Sequence, residues 1–332
     1  MMRRMKTLIY RLLLISGVVA VMRFVHRNGL IILLYHGVAP KSGGTDIYNY
    51  RGKFVTPEAF DYQLQYLSRH YRILELDDAL SRLRNGTLPK YSLTITFDDG
   101  YRNFYTHAYP ILQRLGISAT MFLATDFVLR KRPLWVDRLE YAIGRSVGSR
   151  AEKIARDSAL RDELKTLSRD AREPRLQQIE KEAGASLEDF EGDRADYAPL
   201  SVFEIREMAA NGMRFGAHTR SHPILSCERP EDAHAEITSS VAELQSIISP
   251  LSQAFAYPNG QRGDWRESEE EAVAASLCTA ALTTIEGVST AASHPYRMSR
   301  IAMDATDKNA AFASIASCVR LYLSKIKHRI YA

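Results

Sequence analysis

The chain has 332 residues, of which 45% are hydrophobic and 25% are charged, values that exclude a disordered, collagen-like or coiled-coil protein. This length is sufficient for one large α/β domain or for a domain that carries an insertion. The formal net charge is +5, and because much of the basic excess lies in the first 27 residues, the balanced remainder predicts no nucleic-acid partner.

The N-terminal segment, residues 1–28, combines basic side chains with the apolar run Leu12–Met22 (LLLISGVVAVM). The run is too short to cross a bilayer, and no small-residue cleavage site follows it. Two alternatives therefore remain open: a basic amphipathic helix that lies on a membrane surface, or a helix packed against the rest of the protein. The first alternative makes the membrane surface a partner of this segment.

Three widely spaced cysteines, Cys227, Cys278 and Cys318, form neither a disulfide framework nor a CxxC metal pair. Free thiols favour a reducing compartment. Together with the N-terminal segment, they lead us to expect an inner-membrane-associated protein on the cytoplasmic face; a periplasmic protein with an uncleaved signal anchor is the alternative. No pattern indicates the oligomeric state.

Short apolar strands alternate with helices up to residue 126. Thr56, followed by a proline, is typical of a helix start, and Phe60, Leu64 and Leu67 form the apolar face of that helix. The other elements predicted here are strands at Leu30–Tyr35, Tyr71–Leu76, Leu93–Phe97 and Ala119–Ala124, a helix capped by Asp77 and a helix at Tyr109–Leu115. This alternation predicts a parallel sheet, open or closed into a barrel.

Residues 127–199 interrupt the alternation. The stretch 150–194 is rich in charged residues, with aliphatic residues at roughly helical spacing, which predicts an inserted helical subdomain or lid with a solvated charged face. The pattern resumes at residue 200 with predicted helices at Val202–Ala210 and Glu231–Ile248, strands at Met213–Ala217, Gln253–Tyr257, Thr279–Thr284 and Arg300–Met303, and a C-terminal helix over 306–332.

Asp98 and Asp99 follow a predicted strand directly and precede Gly100. Asp-Asp-Gly on its own is typical of a turn. At the carboxyl end of a parallel strand, however, adjacent carboxylates can also take separate tasks, one binding a metal and the other acting as a base.

His218 and His222 (HTRSH) follow another predicted strand. Because Pro223 disfavours helix at His222, the motif is predicted to be one turn of loop, which brings both imidazoles to the same side. This spacing suits a divalent metal, although a pair of core or surface histidines has the same pattern. His36 and the turn Pro258-Asn259-Gly260 also follow strands; a lone histidine is more often structural, and the turn could direct backbone N–H groups at a pocket.

The four motifs LLYHG, TFDDGY, HTRSH and FAYPNG, in this order, resemble those of the NodB-homology polysaccharide deacetylases, carbohydrate esterase family 4. LLYHG resembles in particular the permuted branch that includes poly-N-acetylglucosamine deacetylases. The resemblance extends over roughly Leu30–Met303, apart from the charged insertion. It implies a distorted (β/α) barrel with the site at the carboxyl ends of the strands, and metal-dependent hydrolysis of acetamido groups on N-acetylated sugars.

The resemblance also implies the site residues. Asp99, His218 and His222 match the metal-binding triad, with zinc as the expected ion and Co, Ni, Mn or Fe as alternatives. Asp98 matches the catalytic base. The residues that match the segment expected to bind substrate and oxyanion are Tyr257, Pro258, Asn259 and Gly260.

Two departures from the family pattern affect the remaining roles. The late Leu-x-His that supplies a general acid is missing, since His294 lies in a predicted loop, and His36 is expected to replace it as in the permuted branch. The arginine expected before the proline of FAYPNG is also missing, and Arg300 is the candidate to orient Asp98.

These expectations divide the chain into an N-terminal helix (1–28), a barrel (29–126 and 200–305), a helical insertion (127–199) and a C-terminal helix (306–332). The alternatives are a catalytically idle carbohydrate-binding protein on the same fold, an O-acetyl esterase and a peptidase. The presence of all four Asp and His motif residues disfavours the idle protein. The sequence contains no HExxH motif, which disfavours a zinc protease.

Overall fold

The computed structural model describes residues 16–40, 47, 49–50, 52–186, 190, 195–303 and 309–319. The strands among them are β1 (Ile31–Tyr35), β2 (Gly37–Val38), β3 (Phe54–Val55), β4 (Arg72–Ile73), β5 (Ser92–Phe97), β6 (Thr120–Leu123), β7 (Arg214–Ala217), β8 (Ala254–Ala256), β9 (Ala280–Leu282) and β10 (Ile301–Ala302). The α-helices are α1 (Val18–Val25), α2 (Pro57–His70), α3 (Leu76–Arg84), α4 (Tyr109–Leu115), α5 (Thr125–Arg130), α6 (Trp135–Arg145), α7 (Arg150–Leu164), α8 (Arg169–Ala183), α9 (Val202–Ala210), α10 (Pro230–Ile247), α11 (Glu267–Ala275) and α12 (Asn309–Ala316).

Eight strands form one sheet in the order β10–β1–β5–β6–β7–β8–β9, with β4 paired to the start of β5. All of these pairings are parallel. Every residue of β1 and β5 is buried, as expected for strands that are covered on both faces. A parallel bridge between Leu282 and Met298 joins the segment before β10 to β9, so the two edges of the sheet approach each other. The expected distorted (β/α) barrel is confirmed as a curled parallel half-barrel.

Most predicted elements are present, with shorter strands than the apolar runs suggest. Thr56 caps α2 by accepting a hydrogen bond from the N–H of Ala59, and the apolar face of α2 is buried as predicted. The predicted Asp77 cap was wrong. Glu75 caps α3 instead, because its longer side chain folds back to accept from the N–H groups of both Asp77 and Asp78.

Three helices of the insertion, α6, α7 and α8, pack around a small apolar core of their own that includes Leu139, Leu164 and Leu176. The solvated charged face predicted for residues 150–194 was wrong for Asp157, Arg161 and Arg172, which are buried. Earlier in the insertion, Asp137, Arg138 and Glu140 are buried as well. Arg138, Glu140, Asp157 and Arg161 each meet an opposite charge on the same or a neighbouring helix. Asp137 pairs with Lys53, which immediately precedes β3. Buried ions require such partners. Helical spacing does not indicate which charges face each other across two helices.

The described part of the predicted N-terminal helix includes α1, and residues 1–15 lie outside the described part. Val19 of α1 is buried against Ala313 and Val319, whereas Val21 and Phe24 are more than half exposed. Among the described residues, no helix is both long enough and apolar enough to span a bilayer. The predicted C-terminal helix is described only at α12, and residues 304–308 and 320–332 lie outside the described part.

Candidate active site

The side chains that the motifs predict to be functional lie together at the carboxyl edge of the sheet. Asp98 and Asp99 follow β5, His218 follows β7, and His36 follows β1. Each of these strands is parallel to its neighbours, so their ends meet at one edge. Both aspartates, His218 and His222 are buried, and His36 is partly exposed.

Asp99, His218 and His222 form a compact cluster. Oδ1 of Asp99 lies 3.6 Å from Nε2 of His218 and 3.4 Å from Nε2 of His222. One ligand atom from each residue can be chosen so that all three lie within 4.8 Å of one another. One carboxylate oxygen and two imidazole nitrogens are a donor set that suits zinc and similar divalent ions.

The chemical state of these donors also fits a cation. His218 donates its Nδ1–H to the carbonyl of Ala256 at 2.7 Å, which leaves Nε2 with a free lone pair facing Asp99. Burial lowers the pKa of His218 and of His222 to about 4, so both rings are neutral near pH 7. Oδ1 of Asp99 is buried and has no hydrogen-bond partner among the described residues. Burial raises the pKa of Asp99, and neighbouring positive charges offset that effect only in part.

The turn after β5 requires an unusual backbone. Asp99 has a φ of 80° and Gly100 a φ of 101°, a region that disfavours residues with a Cβ atom. A Cβ atom at Gly100 would also lie 2.7 Å from Cγ1 of Val128. The glycine of the motif TFDDGY is therefore needed to turn the chain and let the two aspartates project into one site.

The loop from His218 to His222 is likewise held in a strained form, since Thr219 and His222 have φ values of 64° and 58°. Glu236 of α10 stabilises it: the carboxylate accepts hydrogen bonds from the N–H of Arg220 at 2.9 Å and from the N–H of Ser221 at 2.8 Å. It also accepts from the Ser221 hydroxyl at 2.7 Å. Glu236 was not predicted from the sequence, because only the position of its side chain on α10 brings it into contact with the loop.

Asp98 makes a two-pronged ion pair with Arg300, with Nη1 2.8 Å from Oδ1 and Nη2 2.7 Å from Oδ2. Arg300 is fully buried, and its Nε–H donates to the carbonyl of Thr283. Burial alone would raise the pKa of Asp98, but the charge of Arg300, assisted by His218 and His36, outweighs it and lowers the pKa. Asp98 is therefore ionised at neutral pH.

The turn after β8 offers one donor for a developing oxyanion. The N–H of Tyr257 donates to Leu282, and the N–H of Gly260 donates to Pro258. Pro258 has no N–H, and the N–H of Asn259 has no hydrogen-bond partner within the described part of the chain. Among the four predicted residues, the N–H of Asn259 is thus the one free backbone donor. It lies three residues beyond Ala256, the last residue of β8, whose carbonyl accepts from His218.

The insertion, predicted as a helical subdomain or lid, also reaches the site, through residues that no motif indicated. Trp135, the first residue of α6, donates its Nε1–H to the carbonyl of His222 at 3.1 Å. Arg172 of α8 lies over the Trp135 ring, with its guanidinium carbon 4.8 Å from the ring centre.

His294, by contrast, is half exposed, and its Nδ1 lies 3.8 Å from Oε2 of Glu270.

Solved structures of deacetylases share this parallel half-barrel fold. The Streptococcus pyogenes deacetylase PplD, in complex with acetate, matches 83% of this chain and 93% of its own length with a TM-score of 0.57 and 23% identity. IcaB from Ammonifex degensii matches 87% of this chain and 97% of its own length with a TM-score of 0.58 and 19% identity.

Residues 85–187 and 190–275, more than half of the chain, match the family model of polysaccharide deacetylases. The chain belongs to the polysaccharide deacetylase family, and the predicted resemblance is confirmed. The matched ranges include Asp98, Asp99, His218 and His222 but not His36 or Arg300.

Two curated relatives are similar over a shorter stretch. The poly-beta-1,6-N-acetyl-D-glucosamine N-deacetylase of Staphylococcus epidermidis is 34% identical over 113 residues, which are 31% of this chain and 38% of the relative. The enzyme of the same name from Staphylococcus aureus is 36% identical over 112 residues, which are 30% of this chain and 38% of the relative. The matched stretch therefore spans well under half the length of these relatives.

Proposed function

We propose that this protein hydrolyses acetamido groups on N-acetylglucosamine units of a polysaccharide or glycan intermediate, releasing acetate and leaving a free amine. Family membership and the names of the two relatives support this reaction and substrate class. The observation that carries the proposal is the pairing of two different carboxylates. Asp98 is held ionised by Arg300, and its neighbour Asp99 faces two neutral imidazoles.

We propose zinc as the ion held by Asp99, His218 and His222. The free Nε2 lone pair of His218, the neutral ring of His222 and the unpartnered Asp99 oxygen support this assignment. When bound, such an ion polarises the amide carbonyl and lowers the pKa of water from about 15.7 to about 7.

The protein's own groups would then perform the proton transfers. Asp98 is proposed to take the proton of the attacking water as a general base, a role worth about 10²–10⁴-fold in rate. Arg300 keeps both oxygens of Asp98 in fixed positions. The N–H of Asn259 is proposed to stabilise the oxyanion, and such a donor contributes about 10²–10³-fold. His36, in its protonated form, is proposed to donate to the departing sugar nitrogen.

The test is acetate release from a panel of N-acetylglucosamine oligomers and lipid-linked N-acetylated sugars by the full-length protein, with and without a chelator. We expect release that stops on chelation and returns when zinc is added. A protein that binds these sugars yet releases no acetate at any zinc concentration would instead be an idle carbohydrate-binding protein.

We further propose that the N-terminal segment attaches the protein to the cytoplasmic surface of the inner membrane. Two features of this segment support this. Its Val19 side is fixed to the protein, and Val21, Phe24 and Val25 on the other side are exposed. The first 27 residues also contain six Lys and Arg residues and no acidic one, a composition that favours anionic lipid.

A further inference from the structure

Lys53 lies beside the proposed active site without belonging to any of the four motifs. It immediately precedes β3, which pairs in parallel with β2 so that Phe54 is opposite Gly37. Extending this register by one residue places Lys53 next to His36, the proposed general acid. Lys53 therefore lies at the carboxyl edge of the sheet, beside a residue that is proposed to act on the substrate.

The ammonium group of Lys53 is held by two partners. It forms an ion pair with Oδ1 of Asp137 in the insertion, and it lies 3.2 Å from the hydroxyl of Tyr101, which is two residues beyond Asp99. The Tyr101 hydroxyl in turn donates to the other oxygen of Asp137 at 2.7 Å. The ammonium also lies 5.2 Å from the ring centre of Tyr101 and 5.0 Å from that of Tyr197, within cation–π range.

These contacts leave donor capacity unused. An ammonium group has three N–H donors, and within the described part of the chain Asp137 and Tyr101 are its only two hydrogen-bond partners. The side chain of Lys53 is 14% exposed, whereas that of Asp137 is 1% exposed. The charge of Lys53 is also among those that act to lower the pKa of Asp99, consistent with its closeness to the cluster.

We propose that Lys53 is a substrate-binding residue, which donates its remaining N–H to a neutral sugar oxygen on the N-acetylhexosamine unit being deacetylated. The inference rests on the proposed function. Asp137 and Tyr101 fix the ammonium in advance, so little side-chain freedom is lost on binding. The insertion thereby contributes to substrate recognition through Asp137.

A purely structural role for Lys53 would be to neutralise the buried carboxylate of Asp137. A double-mutant cycle separates the two roles. In Lys53→Met, we expect KM for an N-acetylglucosamine oligomer to rise about 10–100-fold, as for loss of a hydrogen bond from a charged donor, with zinc content unchanged. In Lys53→Met/Asp137→Asn, which removes both charges, KM should stay raised. Recovery of the wild-type KM in the double variant would overturn the proposal.

Lys90, which is exposed at the opposite, amino-terminal end of β5, provides the matched control, and Lys90→Met should leave KM unchanged. Calorimetric binding of the same oligomer to the zinc-free protein keeps the inference separate from the proposed reaction. If the wild type releases no acetate, the proposed function fails, yet weaker oligomer binding by Lys53→Met would still support the role of Lys53. Equal oligomer binding by the wild type and Lys53→Met would contradict it.

Discussion

Arg300 reaches Asp98 across an intervening strand. Arg300 immediately precedes β10 and Asp98 immediately follows β5, and these two strands flank β1 in the sheet. The guanidinium contacts both carboxylate oxygens at 2.7–2.8 Å, and both residues are buried. A buried carboxylate normally has a raised pKa. The ion pair reverses that direction and keeps the proposed base ionised.

We predict that Arg300→Met moves the acidic limb of the pH profile of kcat/KM to higher pH. Without Arg300, the effect of burial on Asp98 is no longer outweighed, so the pKa of Asp98 rises. Activity should then be lost first on the acidic side, because the base is protonated there. The measurement is acetate release against pH at saturating zinc.

The conservative variant Arg300→Lys keeps the charge but not the two-pronged geometry. We expect the acidic limb of its pH profile to lie closer to the wild-type position than that of Arg300→Met. Thermal unfolding of each variant identifies loss of folded protein. An acidic limb that stays in place in a folded Arg300→Met protein would show that Arg300 does not control Asp98.

The adjacent aspartates should respond differently to substitution. We expect Asp99→Ala to lose zinc and activity together, because it removes one of the three donor residues. We expect Asp98→Asn to keep zinc and to lose about 10²–10⁴-fold in kcat, the usual contribution of a general base. Zinc content of the purified protein and acetate release check both expectations. Comparable turnover in Asp98→Asn and the wild type would remove Asp98 from the proposed role.

The strands and the positions of Asp99, His218 and His222 at their ends could be predicted because short-range patterns specify them. Buried parallel strands appear as continuous apolar runs, and the motif residues follow those runs directly. Parallel pairing then brings Asp99 and His218 together without further information. Even the glycine after Asp99 has a local cause, the positive φ of the turn.

The supporting contacts could not be predicted, because they depend on packing between distant segments. Lys53 and Asp137 are separated by 84 residues, and neither lies in a recognisable motif. Trp135 reaches the His222 carbonyl only because the insertion docks beside the histidine loop. The same holds for Arg138 and Glu140, whose partners Glu180 and Arg161 lie on facing helices.

We predict that the N-terminal segment binds vesicles that contain anionic lipid. Phe24 is 56% exposed on the side of α1 opposite Val19. Burying one such side chain in the interface contributes about 1.5–3 kcal/mol, so Phe24→Ser should weaken binding about tenfold or more in a flotation assay. Phe203→Ser, at an exposed position on α9, is the control. Equal binding of Phe24→Ser and wild type would refute lipid contact by α1.

We expect Glu236 to control the affinity for the proposed zinc ion, although it is not one of the three proposed ligands. Its carboxylate holds the backbone of Arg220 and Ser221, between the two histidines, in a loop with two left-handed residues. Removing such a supporting group typically lowers metal affinity about 10–100-fold. We expect a loss of this size for Glu236→Ala. Glu236→Gln keeps one acceptor oxygen, so its zinc affinity should fall less. Chelator competition on metal-stripped protein measures the affinity, and Glu231→Ala, at an exposed position of the same helix, is the control. A folded Glu236→Ala protein with wild-type zinc affinity would mean that the loop keeps its form unaided, through the bonds from the N–H groups of α5 to Thr219 and Arg220.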